Sequence, residues 1–328
     1  MHRVDIVDGV NIVDGVDIVD GVDIVDGVDR RRTHPAPRTT HHALQNALPL
    51  NFNVMNTDFF VKILDAVQQR HPLVHQITNY VTATDCANAT LAIGGSPVMA
   101  HSILETADMA ALAQAVLLNI GTPDADSAET MLKAGQVANR NKTPVILDPV
   151  GAGATPFRKE LCETLLNGMQ VDILRGNQAE IRALLQLSSR SRGVDSLDDQ
   201  EDFGELAMRA AKEFRCIAAV TGRVDCISDG RQLIRIANEH PLLQQVTGTG
   251  CMCSALCATC AGACPENLLE AAATGVAISG TAGEIAAENL LPHEGTGTFH
   301  LRLMDAFSKM TGKLLQQKTR MTHTQPVF

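Results

Sequence analysis

The chain has no tryptophan and a single tyrosine, Tyr80, and only 3% of its residues are aromatic. Its core must therefore be assembled from alanine, leucine, isoleucine and valine, as in parallel sheets covered by helices. It lacks any apolar run of the eighteen or so residues that a membrane span needs. No hydrophobic signal segment opens it either, because aspartate recurs about every third residue there. No membrane association is expected. Positive charge is in deficit: 27 lysines and arginines against 37 aspartates and glutamates leave a formal charge of −10, which argues against nucleic acid as a partner. Eight of those acidic residues fall in the first 29 positions, so the remainder is only mildly acidic. The nine cysteines are odd in number and several share one apparent helix, which does not suit a disulfide framework. Free thiols in a reducing compartment, by default the cytoplasm, are expected.

What is present first is a repeat. Residues 4–29 carry four copies of Val-Asp-Ile-Val-Asp-Gly, with Asn11 replacing one aspartate. Four short copies are too few to close a β-helix, and the recurring aspartate opposes stacking. Arg30-Arg31-Arg32 and the Pro/Thr/His-rich stretch to His42 continue the linker character. Residues 1–54 are thus expected to be a disordered leader, with Met55 a candidate original start. From Asn56 the texture changes: Thr57 is placed to cap a helix whose Phe59, Phe60, Ile63, Leu64 and Val67 line one face. Helical patterns then alternate with short apolar runs at 96–99, 115–120, 144–147, 171–174 and 217–220. This is a β/α alternation of 328 residues and 45% hydrophobic content, long enough for a large core. Residues 226–236, with Asp229-Gly230 in the middle, read as an antiparallel hairpin. One folded domain is expected over 55–315, with 316–328 as a tail.

Each apolar run is followed at once by glycine, asparagine, aspartate or threonine, which puts polar groups where open α/β sheets bind ligands. The densest such stretch is Val246-Thr247-Gly248-Thr249-Gly250-Cys251, followed by an Ala/Leu-rich helix over 252–263. Two glycines allow a ligand to approach the backbone, and a helix start offers N–H groups to a phosphate. Asp148 and Glu180 supply carboxylates able to hold Mg²⁺ directly or through its waters. For Asp148 a turn aspartate is the rival reading; for Asn177 and Glu180 it is a capping box. Cys253, Cys257, Cys260 and Cys264 recur at helical spacing as one stripe, which suits buried small residues better than a tetrahedral metal site. His75 and His101 read as structural or lining groups.

Five segments together resemble the hydroxyethylthiazole kinases of thiamine biosynthesis: His75 to Val81, Gly95 to His101, Asn119 to Thr122, Leu147 to Thr155 with Phe157-Arg158, and Gly248 to Cys251. The similarity runs from about Phe59 to Lys309. Gln76 stands where the family commonly has cysteine, and Gly295 to Phe299 differs at two places from a Gly-Pro-Gly-Ser-Phe segment. The resemblance implies a three-layer α/β/α ribokinase-like fold with a mostly parallel central sheet. It implies phosphorylation by ATP, with Mg²⁺, of the primary hydroxyl of 4-methyl-5-(2-hydroxyethyl)thiazole. Asn79, Met99 and Gly248 match thiazole-site positions, Asn79 being expected to reach a neighbouring subunit of a homotrimer. Arg158, Thr221 and Asn177 match ATP-side positions, and Asp148 and Glu180 the metal side. Gly248, Thr249, Gly250 and Cys251 form the anion hole, with Cys251 where most ribokinase-like enzymes carry an aspartate base. A kinase of another vitamin-type alcohol, hydroxymethylpyrimidine or pyridoxal, is the alternative, as is a non-catalytic nucleotide-binding relative.

Overall fold

The computed structural model describes residues 57–192, 202–288 and 290–324. The leader 1–54, Met55 and residues 325–328 lie outside them. The chain opens with α1 (Asp58–Arg70) and alternates through β1 (Leu73–Ile77), α2 (Ala83–Ala92), β2 (Ser96–Val98), α3 (Thr106–Leu112), β3 (Ala115–Asn119) and α4 (Ser127–Asn141). It continues through β4 (Val145–Asp148), α5 (Pro156–Gly168), β5 (Ile173–Asn177), α6 (Gln178–Arg192), α7 (Phe203–Phe214) and β6 (Ile217–Thr221). Then come the hairpin β7 (Asp225–Ser228) and β8 (Leu233–Ile236), a 3₁₀ turn at Pro241–Gln245, and the helices α8 (Thr249–Ala263), α9 (Leu268–Glu288), α10 (Thr296–Ser308) and α11 (Gly312–Lys318). The described part closes on β9 (Met321–Thr324).

The strands form one sheet in the order β2-β1-β3-β4-β5-β6-β7-β8-β9. From β2 to β6 all neighbours are parallel, and β7, β8 and β9 add an antiparallel edge. The expected three-layer α/β/α fold with a mostly parallel sheet is what the structure has. Side chains alternate across the sheet as the pleat requires. Leu117, Ile146, Ile173 and Ala219 face a core built with α1, α2, α8, α9, α10 and α11. Val116, Leu118, Val145, Leu147, Leu174, Ala218 and Val220 face the other core, under α3 to α7. Helix α8 is buried on all sides, Cys251 to Ala263, because α1, α2 and α9 pack around it while β1, β3 and β4 lie against it. Among the described residues no helix is long and apolar enough to cross a membrane.

Three details differ from the sequence reading. Thr57 stands at the N-cap of α1 but makes no side-chain capping bond: its hydroxyl accepts from Nε2 of Gln316 at 3.0 Å, and Phe60, Ile63, Leu64 and Val67 are buried while Phe59 is only partly so. β1 carries His75 and Gln76 inside the core, where His75 Nε2 meets Ala100 O at 2.8 Å and Gln76 Nε2 donates to Thr90 Oγ1 at 2.8 Å. Buried polar groups that find partners disguise a strand that composition alone would not call one. Finally, the expected tail includes the end of α11 and β9, which pairs with β8 from Met321↔Ile236 to Thr324↔Leu233.

Candidate functional site

The pleat decides which side of the sheet the site occupies. Asn119 is two residues beyond Leu117, Asp148 two beyond Ile146, Arg175 two beyond Ile173 and Thr221 two beyond Ala219, so all four turn toward α8 and α9 at the carboxyl ends of their strands. Register aligns them: Asn119 is paired with Asp148, and Asn177 with Thr221. Against these ends stands the start of α8, three residues earlier than composition suggests. Its cap, Gly248, has φ +83°, and a Cβ there would strike Thr82. A Cβ on Gly250 would lie 2.8 Å from Nη1 of Arg175. Gly248 is therefore required by its left-handed backbone as well as by close approach, whereas at Gly250 the obstacle is the end of the Arg175 side chain.

Between the turn and the strand ends lies a cleft of about 440 Å³. Asp148, Asn177, Glu180, Thr221 and the run Gly248, Thr249, Gly250, Cys251 all line it. The fold thus gathers eight of the eleven expected site residues. Asn79, Met99 and Arg158 are not among its walls. Asn79 is buried, and Thr82 N and Oγ1 both donate to its Oδ1, at 3.1 and 3.0 Å. Its Nδ2 donates to Asn119 Oδ1 at 3.0 Å and to Cys251 Sγ at 3.3 Å. Met99 packs half-buried beside β2, against the α8 side of the core. Arg158 gives its guanidinium to three carbonyls: Ile120 at 2.5 Å, Val150 at 2.7 Å and Gly121 at 2.6 Å. It binds the turn after β4 to the turn after β3.

A polar chain runs behind the cleft. Asn119 Oδ1 takes both Asn79 Nδ2 and Gly121 N, which leaves its Nδ2 to donate to Asp148 Oδ2 at 2.7 Å. Ser254 Oγ donates to the same oxygen at 2.8 Å. Asp148 Oδ1 has no partner although it is buried, and burial lifts this carboxyl to a pKa of about 6. Burial likewise lifts Asp225, which accepts Gly222 N at 2.9 Å, to about 8. A helix start ordinarily lowers a thiol; at Cys251 burial, with Asp148 beside it, raises it, against donors from Thr82, Asn119 and Asn79.

Glu180 and Asn177 form the capping box: Asn177 N donates to Glu180 Oε2 at 2.8 Å and Glu180 N to Asn177 Oδ1 at 3.0 Å. The other oxygen, Oε1, accepts Gly151 N at 3.0 Å. His101 Nε2 lies 2.8 Å from Thr78 O, a structural placement, as is that of His75. All nine cysteines are unpaired and buried, the stripe from Cys253 to Cys264 included. Asn119, Ser254, Arg175 and Asp225 join the site without having been singled out. Asn119 and Arg175 stand in strand-end motifs, where a polar residue closing an apolar run gives some sign of them, whereas Ser254 and Asp225 carry no local signal.

The sequence profile of the hydroxyethylthiazole kinase family matches residues 64–313. The chain is 47% identical over 247 residues to a hydroxyethylthiazole kinase of Alkaliphilus oremlandii, covering 75% of this chain and 91% of the relative. The solved hydroxyethylthiazole kinase of Pyrococcus horikoshii OT3 superposes with a TM-score of 0.74 at 39% identity, over 82% of this chain and all of that one. A ribokinase-like superfamily protein of Enterococcus faecalis V583 shares the fold at 13% identity, with a TM-score of 0.51 over 78% and 96% of the two chains.

Proposed function

This chain belongs to the hydroxyethylthiazole kinase family and is a phosphotransferase acting on the hydroxyethylthiazole of thiamine biosynthesis, and we propose that its cleft receives ATP with the phosphates against the Gly248–Cys251 turn. The observation that carries this reading is the juxtaposition of that turn, glycine-built and opening a helix, with the unpartnered buried oxygen of Asp148 across the cleft. Backbone N–H groups at a helix start suit a phosphoryl group gathering charge on its equatorial oxygens.

Asp148 Oδ1 and Glu180 are the residues that fit Mg²⁺. The first is a buried carboxylate oxygen with no other partner, and the second retains lone pairs beside its capping bonds. Mg²⁺ keeps most of its waters and needs only one or two carboxylates beside the phosphates, so a dense ligand cluster is unnecessary. When bound, the ion supplies charge neutralisation along the phosphate chain. Thr221 and Asn177 flank the nucleotide, and Arg158 reaches it by exchanging one carbonyl for a phosphate oxygen. The thiazole lies on the far side of Cys251, toward Asn79, Met99 and Gly248. There the ionised Sγ of Cys251 takes the hydroxyl proton as the alcohol oxygen attacks the γ-phosphorus and ADP leaves. Exposed Tyr80, Val81 and Leu104 flank the Thr78–His101 contact and support a subunit contact near Asn79, as in a homotrimer. Nine unpaired thiols support a reducing, cytoplasmic location.

The test is a phosphorylation assay with ATP and Mg²⁺ offered 4-methyl-5-(2-hydroxyethyl)thiazole, hydroxymethylpyrimidine and pyridoxal in parallel. The thiazole is expected to have the highest kcat/KM. Preferred turnover of either other alcohol refutes the substrate assignment, and nucleotide binding without turnover of any refutes the enzyme.

A further inference from the structure

One wall of the cleft belongs to no strand or α-helix: Asn238, Glu239, Leu243 and Gln244 line it from the loop after β8 and its 3₁₀ turn. Such a wall keeps its place only if other elements hold it. At one end Thr249 Oγ1, in the turn that starts α8, donates to Leu243 O at 2.7 Å. At the other end stands Glu284 of α9, whose Oε2 accepts Asn238 Nδ2 at 2.8 Å and whose Oε1 accepts Glu239 N at 3.1 Å. Arg320, just before β9, closes the same carboxylate from outside: Nη1 donates to Oε2 at 3.1 Å and Nη2 to Oε1. Its Nη2 also reaches Ala237 O at 2.6 Å, and its backbone N donates to Asn238 Oδ1 at 2.7 Å. A Cβ on Gly280, one turn before Glu284, would lie 2.2 Å from Asn238 O, so the loop rests directly on α9. Neither Glu284 nor Arg320 is among the described residues that line the cleft.

We propose that Glu284, clasped by Arg320, is a positioning residue for the nucleotide: it holds the 238–244 loop on α9 and so sets the width of the cleft between that loop and the Gly248–Cys251 turn. The inference rests on the reading of the cleft as a nucleotide site. With the Arg320 side chain 57% exposed, the ion pair adds little to the stability of the fold, but a two-pronged fork fixes the carboxylate's orientation. Everything that faces Glu284 in this junction is a donor, so two acceptor-only oxygens are needed, and a glutamine amide would turn its N–H groups against other donors. The bonds of Asn79, on the thiazole side, run to Thr82, Asn119 and Cys251 instead. The effect of Glu284 therefore falls on ATP and not on the thiazole. It also gives the stretch expected as a tail a task, since β9 and the bond from Asn238 Nδ2 to Lys318 O, at 3.0 Å, bring Arg320 into place.

The experiment is steady-state kinetics of the full-length parent, Glu284→Gln, Arg320→Lys and the double variant, with ATP and the thiazole varied separately and a melting curve for each. In Glu284→Gln the KM for ATP is expected to rise roughly tenfold, as for one lost charge-assisted bond, while kcat and the KM for the thiazole stay within about threefold of the parent. Arg320→Lys keeps the charge without the fork and lies between. The double variant is no worse than Glu284→Gln, because both residues act through one junction. A KM for ATP unchanged in Glu284→Gln overturns the proposal, as do KM values for ATP and thiazole that rise together with a lower melting temperature, the mark of a merely structural residue. Should Glu284→Gln fail to fold, Arg320→Gln, at an exposed side chain, carries the same test, and a KM for ATP unmoved there overturns the proposal. Thr221→Val, inside the cleft and outside this junction, separates the two readings. A KM for ATP that answers to Thr221 but not to Glu284 refutes this inference alone, and one that answers to neither refutes the nucleotide cleft and this inference with it.

Discussion

The two faces of the sheet are built from the same strands and behave as different materials. On the α3–α7 face, Val116, Leu118 and Ile120, Val145 and Leu147, and Ala218 and Val220 remain apolar up to the strand ends, and helices such as α4 and α7 each keep a solvent side. On the α8–α9 face the same strands finish in Asn119, Asp148, Arg175 and Thr221, and the covering helices are buried all round in alanine, glycine, cysteine and threonine. Small residues let α8 and α9 come close to each other and to the sheet. That close approach gives the turn at Gly248 and Gly250 a rigid mount. Polar groups lacking complete partners, such as Asp148 Oδ1 and Arg175 Nε, collect where that mount meets the strand ends. A ligand site here is the boundary between two packings, one loose enough to tolerate change and one not.

The largest expected effect separates two thiols of one helix. Cys251 meets the cleft at the start of α8, whereas Cys257 is enclosed in the body. If Cys251 is the base, Cys251→Ala lowers kcat by roughly 10²- to 10⁴-fold with thiazole affinity nearly intact, while Cys257→Ala leaves kcat within a few-fold. Because burial raises the Cys251 thiol, the parent's rate climbs with pH through a limb above the ordinary thiol range. Cys251→Asp, ionised at neutral pH, shifts that limb downward. Equal kcat for the parent and Cys251→Ala from pH 5 to 10 (a range of about that width brackets the free thiol) makes Cys251 a spacer, and the boundary picture loses its chemical half.

A pair of glycines tests the packing half. A Cβ at Gly275 of α9 would stand 2.5 Å from Cys257 N and 2.6 Å from its Cα, which are backbone atoms that cannot yield. At Gly168, on the other face, the obstacle is Leu132 Cδ2, the far end of a flexible side chain. Gly275→Ala is expected to cost about 3 kcal/mol. Gly168→Ala stays within about 1 kcal/mol of the parent, helix propensity offsetting the repacking. Denaturant titration of both variants measures this, and similar midpoints erase the distinction between faces.

A third variant concerns the charge at the boundary. With the Asp148 carboxyl lifted from 3.8 to about 6, the folded metal-free protein loses stability as pH rises through that interval, since the ionised form is the disfavoured one. Asp148→Asn keeps the acceptor for Asn119 and Ser254 and removes the charge. Its melting temperature should exceed the parent's by several degrees at pH 7, with the gain vanishing near pH 4, while Mg²⁺-dependent activity is lost. A gain that persists unchanged at pH 4 points to packing and not to ionisation.

The smallest effect belongs outside both faces. Deletion of residues 1–54 should leave melting temperature and thiazole phosphorylation close to those of the full chain, because the repeat offers no apolar face to bury. Aggregation of the shortened chain refutes it.

The sequence by itself determined the order of elements and the chemistry of the strand ends. Apolar runs at 115–120 and 144–147 with Asn119 and Asp148 at or just past their apolar cores are local facts, as is the glycine pair before the Ala/Cys helix. The capping box of Asn177 and Glu180 was likewise legible, being set by a three-residue spacing. Tertiary structure decided the rest. It placed Arg175 beneath Gly250 and Ser254 on Asp148, contacts between residues 75 and 106 positions apart. It gave β1 its polar core residues and made β9 an edge strand of the expected tail. It also raised the Cys251 thiol that a helix start alone would lower, because desolvation depends on what surrounds a group and not on what precedes it. Spacing is written along the chain, whereas burial and the pairing of charges exist only once distant segments have closed upon one another.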